Sequence, residues 1–238
     1  MLRMGEASAQ EVVGEWNAVL RSYGTSPLKT VRVTDLRERY WSDPEAGKIP
    51  YWRGSLLALK WNAMLRRHTR GQVGLVDVVM SLPERSEPDA IRRFVAAMAK
   101  RGVDVQPDIR NVVEEGGPID FGGPLLGKCA SVRDVLASPF ERGFTAEDRG
   151  GAGWIARRVV RDSNAFEAGI RDGMVIKRLV EGEAGNPSRP YVFEVEDGGR
   201  VRTLRYYPAA RQQIHTTQIE LRSEQGSARA QNACGAWL

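Results

Sequence analysis

Histidine and cysteine are almost missing from this chain. Its 238 residues hold two of each, His68, His215, Cys129 and Cys234. Two cysteines allow one bridge at most, and their wide separation matches no zinc-binding spacing. Cys129 follows an apolar stretch and reads as a small core residue, while Cys234 falls in a weakly patterned tail. Long hydrophobic runs are missing as well. No segment approaches the roughly eighteen apolar residues that a membrane helix requires, which excludes a helical membrane span. The opening MLRMGEASAQE lacks the apolar segment of a secretory signal. That bears on export only if Met1 is the true start, so the compartment stays unknown. The net charge is +5 and the sequence pI near 9.4, yet no basic run interleaved with aromatics occurs. The cations come as scattered pairs such as Arg66–Arg67, Arg92–Arg93 and Arg157–Arg158, with carboxylates between them. This is the pattern of a solvated surface and not of a nucleic-acid face. The glycines at Gly150, Gly151 and Gly153 form neither GxGxxG nor GxxxxGKS/T, so they make no phosphate loop. Ser55 has no GxSxG elbow around it.

What is present suffices for a core, at 42% hydrophobic and 27% charged residues. The first half has helical texture. Val12, Val13, Trp16, Val19 and Leu20 recur at helical spacing over Ala7 to Tyr23, with Gly24 as a stop. Thr34 is a candidate N-cap for the short helix DLRERYW. Pro50 occupies a first-turn position for a long helix through RGSLLALKWNAMLRRH. Along it Arg53, Lys60 and Arg67 recur every seven residues and mark a solvated stripe, with Leu56, Leu57, Leu59, Trp61, Ala63, Met64 and Leu65 on the remaining faces. Further helices follow at Gly74–Leu82, Glu87–Lys100 and Gln106–Val113.

The texture then changes. GGPIDFGGPLLGK is Gly- and Pro-rich and marks a boundary. Beyond it CASVRDVLA, WIARRVV and MVIKRLV read as strands, with one short helix, SNAFEAGI, among them. YVFEVE and RVRTLRYYP flank Asp197-Gly198-Gly199, a β-hairpin signal. The fold class read from this is α+β in two domains. A helical bundle over residues 1–115 leads through a linker at 116–127 to a β-rich domain at 128–222. A tail without periodicity at 223–238 reads as disordered.

Residues 153–207 carry GWIARRVVRDSNAFEAGIRDGMVIKRLV, which resembles a PDZ domain of the bacterial kind. Ala168 and Gly169 would let the short helix lie close on the sheet, and Gly173 permits the tight turn that follows. The resemblance implies binding of extended peptides, with backbone amides receiving a terminal carboxylate. Gly143 and Phe144, in ERGF, match the Gly-hydrophobic ending of that loop and are the candidate peptide-binding residues. The TAEDRGGAG that follows is acidic and glycine-rich, unlike a clean peptide-pairing strand.

Tyr51-Trp52-Arg53-Gly54 resembles the Tyr-x-Lys/Arg-Gly element of the gluzincin zinc aminopeptidases, which opens a helix after the zinc site. The whole chain, over roughly residues 8–220, is similar to the C-terminal portion of the glycyl aminopeptidase family. Members of that family join a thermolysin-like catalytic domain to a PDZ domain. GLVDVVMSL resembles a segment of that family, and VDVQPDIRNVVEEGGPIDF resembles its helix-plus-loop link to the PDZ domain. The resemblance implies peptide-bond hydrolysis, with the Tyr51 hydroxyl donating to the oxyanion as the one candidate catalytic residue. Gly54 would let neighbouring backbone approach.

The family's zinc chemistry needs HExxH and a downstream glutamate. His68 and His215 lie in different predicted domains, and neither has a histidine four residues away. No zinc site, and hence no cofactor, is expected in this chain. The expectation is a metallopeptidase portion that is inactive alone and whose zinc-bearing half lies upstream. The first helix would then expose an apolar face including Trp16 and Leu20. The alternative is a non-enzymatic module whose PDZ-like domain holds peptide or protein C-termini. Relatives by this resemblance are often exported bacterial proteins.

Overall fold

The computed structural model describes residues 8–43, 45–83, 89–122 and 130–222. Cys129, Cys234, most of PERSEP, part of the Gly/Pro-rich boundary and the tail lie outside them. The chain divides into two compact units. The first is Met1–Val135 with Thr217–Leu238, and the second is Leu136–Thr216. Helices, a five-stranded antiparallel sheet and a separate two-stranded sheet make it an α+β protein.

The first unit is helical. Helix α1 (Ala9–Thr25) starts at a capping box, in which Ser8 and Glu11 satisfy each other's backbone N–H groups. Helix α2 (Val33–Arg39) and helix α3 (Ile49–His68) follow, with Pro50 in the first turn of α3. Helices α4 (Leu75–Met80) and α5 (Ala90–Ala99) come next. A single turn, α6 (Gln106–Asp108), continues into a π-helical segment, Ile109–Glu114. Val13, Leu20 and Tyr23 of α1 pack on Leu56, Leu59 and Ala63 of α3. A second cluster, Leu65, Val78, Met98, Val103 and Val105, joins α3 to α4 and α5. Each fully buried aliphatic side chain contributes about 1.5–3 kcal/mol.

Several expectations fail in this unit. Helix α2 begins at Val33 with Arg32 at its N-cap, and the Thr34 hydroxyl goes to Asp35 Oδ1. Trp16 and Leu20 are not an exposed face. Leu20 is buried and Trp16 packs against the same cluster, because Ile219 and Leu221 from the end of the chain join that cluster. Arg53 is not on a solvated stripe, for a reason given below.

Strand β1 (Ala130–Ala137) pairs with β7 (Ile214–Leu221). The second unit is therefore entered and left through two paired strands. Inside it the sheet order is β2 (Thr145–Asp148), β3 (Trp154–Arg157), β4 (Val175–Glu181), β5 (Tyr191–Asp197), β6 (Arg200–Tyr206). The acidic TAED is thus a strand. Asp197 pairs with Arg200, so Gly198 and Gly199 form the two-residue turn. Both have positive φ, as a type I′ turn demands. Alternation in β5 buries Tyr191, Phe193 and Val195. They pack with Phe144, Ile176, Leu204 and Tyr206, and with Ala165 from helix α7 (Asn164–Glu167).

Gly116, placed at the sequence boundary, has a closer task. At φ +71° its absent Cβ would lie 2.6 Å from the Thr30 carbonyl oxygen. Only glycine allows that crossing. Gly54 and Gly173 have nothing within 4 Å of their would-be Cβ atoms. Gly54 therefore serves no close approach, whereas Gly173, at φ +86°, serves its turn through backbone freedom. Gly169 would meet only ordinary contacts, the nearest at 3.8 Å from Arg202. No described helix is long and apolar enough to cross a membrane.

Candidate functional site

In the second unit Gly143 and Phe144 lie in the loop that leads into β2. Gly143 has φ +80°, and a Cβ there would sit 2.5 Å from Ser163 Oγ and 2.8 Å from Ala165 Cβ. Ser163 in turn caps α7 by accepting from the Phe166 N–H. The loop is held on several sides. The Glu141 N–H donates to the Pro208 carbonyl at 2.8 Å, and the Val160 N–H donates to the Gly143 carbonyl at 2.8 Å. The Tyr206 hydroxyl donates to the Arg142 carbonyl at 2.8 Å. Burial pushes the Tyr206 phenol well above its ordinary value, so it stays a neutral donor.

These bonds use the Glu141 N–H and the Arg142 and Gly143 carbonyls, and leave donors over. The N–H groups of Gly143 and Phe144 have no acceptor among the described residues, although both residues are buried. Buried amides without partners are rare. Beside them opens a cavity of about 270 Å³. Arg142 and Phe144 stand at the loop end of its lining, and Ala146, Trp154, Ile176, Leu179 and Phe193 supply most of an apolar wall. Among the described residues strand β2 pairs only with β3, so its other edge meets no described strand, and all four of its residues are exposed. A cluster of donors, one cation, an apolar hollow and a free strand edge together suit an extended chain ending in an anion.

In the first unit Tyr51 occupies the first turn of α3 and is 68% exposed. Its hydroxyl lies 3.2 Å from the Tyr40 hydroxyl, and either can be the donor. Tyr40 caps the end of α2, with the Trp41 ring edge-on to it at 4.9 Å. The turn between the two tyrosines is tied by Asp43, whose Oδ1 accepts from the Glu45 and Ala46 N–H groups while Arg39 holds its other oxygen. Burial works to raise the Asp43 carboxyl. Those two amides and Arg39 outweigh it and hold the carboxyl below its usual range.

Arg53, two residues after Tyr51, is only 3% exposed. Its Nη2 donates to the Lys29 and Val31 carbonyls at 3.1 and 3.0 Å, and its Nη1 to the Val113 carbonyl at 3.1 Å. Nε has no partner. The guanidinium thus ties two backbone segments, at 29–31 and at 113, to the start of α3 and holds the base of the Tyr51 helix. Sequence period alone placed Arg53 with Lys60 and Arg67. Lys60 too is largely withdrawn from solvent, paired with Asp108 at 2.7 Å, and Asp108 also accepts from Trp61 Nε1.

Tyr40, Trp154, Leu179 and the orphan amides escaped the sequence reading. The aromatic pair in RERYW was the one available signal for Tyr40. Among the described residues no group of three or more His, Cys, Asp and Glu side chains could hold a metal ion. His68 ends α3 and His215 is exposed on β7. The described residues therefore offer no set of ligands that fits a zinc ion.

No protein-family model matches the chain, and no curated protein matches it. Among solved structures, the aminopeptidase N family protein from Idiomarina loihiensis is similar, with a TM-score of 0.48 and 14% identity. The likeness covers 97% of this chain and 45% of that one, so this chain spans less than half of that protein's length.

Proposed function

We propose that the second unit is a PDZ-like peptide-binding module that captures the carboxyl end of a peptide or protein. The terminal carboxylate lies on the Gly143 and Phe144 N–H groups with Arg142 at hand. The preceding residues add along the open edge of β2, and an apolar side chain enters the hollow lined by Ala146, Ile176 and Leu179. The observation that carries this reading is the pair of N–H groups, on the buried residues Gly143 and Phe144, that find no acceptor among the described residues in a loop held on its other sides. Calorimetric titration of the full chain tests it, using peptides with an apolar last residue and either a free or an amidated carboxyl end. Amidation removes the charge-assisted bonds and should weaken binding at least about tenfold. Equal binding of the two forms, or none, overturns the reading.

A second reading is favoured by Tyr51. The first unit is the helical portion of a peptidase-like catalytic domain, in which the Tyr51 hydroxyl donates to the oxyanion that forms as a peptide carbonyl is attacked. What supports it is a hydroxyl on an exposed tyrosine whose hydrogen-bond partner among the described residues is another hydroxyl, on a helix start held by Arg53. Metal and base would come from outside this chain. The test is aminopeptidase turnover of the tagged chain isolated from its source cells with whatever accompanies it. Tyr51→Phe should lower kcat about 100-fold or more, as loss of an oxyanion donor does. Absence of turnover, or full turnover in the variant, overturns this second reading.

A further inference from the structure

Two phenols in contact share one hydrogen bond, so one of their two hydrogens is spent and the other is free. Which one is free decides whether Tyr51 can donate to anything else. Two features favour one polarity, and a third sets the geometry. Tyr51 sits in the first turn of a helix of 20 residues, and helical side chains lean back toward the N-terminus, where partial positive charge favours electron density on an oxygen. Tyr40 sits at the opposite kind of end, the C-cap of α2, where negative charge is disfavoured. The turn between them is tied by Asp43, so the two rings meet through fixed backbone and not by chance of two mobile side chains.

We propose that Tyr40 is a positioning residue for Tyr51: it donates its hydroxyl hydrogen to the Tyr51 oxygen and leaves the Tyr51 hydrogen as the pair's free donor. The proposal rests on the reading of Tyr51 as an oxyanion donor. Accepting from Tyr40 orients the Tyr51 phenol and polarises its O–H, since hydrogen bonds in a chain strengthen one another. Consistent with that polarity, the Tyr40 phenol is held above its ordinary value, first by the hydrogen bond to Tyr51, then by desolvation and by the charge Tyr51 acquires on ionising. No other described ionisable side chain shares a hydrogen bond or ion pair with either hydroxyl. Of the charged residues along the same stretch, Arg37, Glu38, Arg39, Asp43, Glu45 and Lys48, Arg39 and Asp43 bond each other and Glu45 accepts from the Ser26 hydroxyl.

The experiment is a pH titration by NMR of the full chain labelled at the tyrosine Cζ, for the parent protein, Tyr51→Phe and Tyr40→Phe. The Tyr40→Phe spectrum assigns the Tyr40 resonance. Its midpoint should lie above the ordinary phenol range in the parent and fall back into it in Tyr51→Phe. A rise in Tyr51→Phe means that Tyr51 is the donor and its hydrogen is spent, and no change means that the bond is not made; either overturns the proposal. Turnover of the isolated native protein separates this from failure of the Tyr51 reading. Tyr40→Phe should lower kcat about tenfold with KM unchanged, a smaller loss than in Tyr51→Phe. A falling Tyr40 midpoint with undiminished turnover in Tyr51→Phe leaves the hydrogen bond standing, removes the catalytic role of Tyr51, and overturns the positioning role with it.

Discussion

Asn17 on α1 bonds both backbone groups of Ile219 on β7, 202 residues away. Its Nδ2 donates to the Ile219 carbonyl at 2.9 Å, and its Oδ1 accepts the Ile219 N–H at 2.7 Å. The side-chain amide copies the pairing a neighbouring strand would offer and so blunts the β7 edge. Ile219 is almost wholly buried, so its backbone has no water to fall back on. Asn17→Ala should destabilise the protein by about 2 kcal/mol, and Asn17→Asp should recover little, because a carboxylate cannot donate to the carbonyl. Urea unfolding monitored by circular dichroism checks this; an unchanged midpoint for both variants contradicts it.

Arg53 offers a sharper case. Removing its guanidinium takes a donor from the Lys29, Val31 and Val113 carbonyls, of which Lys29 keeps the Tyr23 hydroxyl, and opens a cavity beside α3. Arg53→Ala should cost about 3 kcal/mol or more. Arg53→Lys should stay well short of the parent, because one ammonium cannot span carbonyls on separate segments. Denaturant midpoints give the answer, and equal stability of Arg53→Lys and the parent would sink the idea of a three-way clamp.

Gly143→Ala forces a Cβ against Ser163 and Ala165 and an unfavourable positive φ on the new residue. We expect a loss of about 2 kcal/mol and peptide binding weakened beyond detection. Leu179→Asp separates fold from binding. Leu179 lines the hollow yet is 40% exposed, so a carboxylate there should leave the melting temperature nearly unchanged while abolishing binding of peptides with an apolar last residue. Retained binding in Leu179→Asp would place the ligand elsewhere.

The start of α1 should respond to pH. The Ser8 N–H, and then the Ser8 hydroxyl, hold the Glu11 carboxyl below its usual value. A depressed folded value means that the carboxylate favours the folded state above the unfolded carboxylate range, and that this is lost as pH falls through the folded value. Amide exchange in the first turn of α1 should therefore quicken, relative to the rest of the helix, below about pH 4. Glu11→Gln should remove that dependence. Persistence of the same pH response in Glu11→Gln would show that another group causes it.

Period-two and turn signals made most of the second unit readable. The hairpin at Gly198–Gly199 needs only local backbone freedom, and β4, β5 and the α7 cap follow from neighbours in sequence. What was not readable depends on partners distant along the chain. Arg53 looks solvated because its acceptors belong to residues 29, 31 and 113. Trp16 and Leu20 look exposed because Ile219 and Leu221 arrive from the chain's far end. TAED looks unfit for a strand because its pairing with β3, from Thr145 against Arg157 to Asp148 against Trp154, is set by sheet register and not by its own composition. At the candidate site, Gly143 and Phe144 could be nominated from a local pattern. That their N–H groups are left over emerges only once Pro208, Val160 and Tyr206 have claimed the neighbouring atoms.

The pairing of β1 with β7 makes the second unit a cassette with its entrance and exit side by side. Excising 138–213 and joining the strands through a short Asn-Gly turn would turn them into an ordinary hairpin, with the α1–α3 core and the Asn17 contact intact.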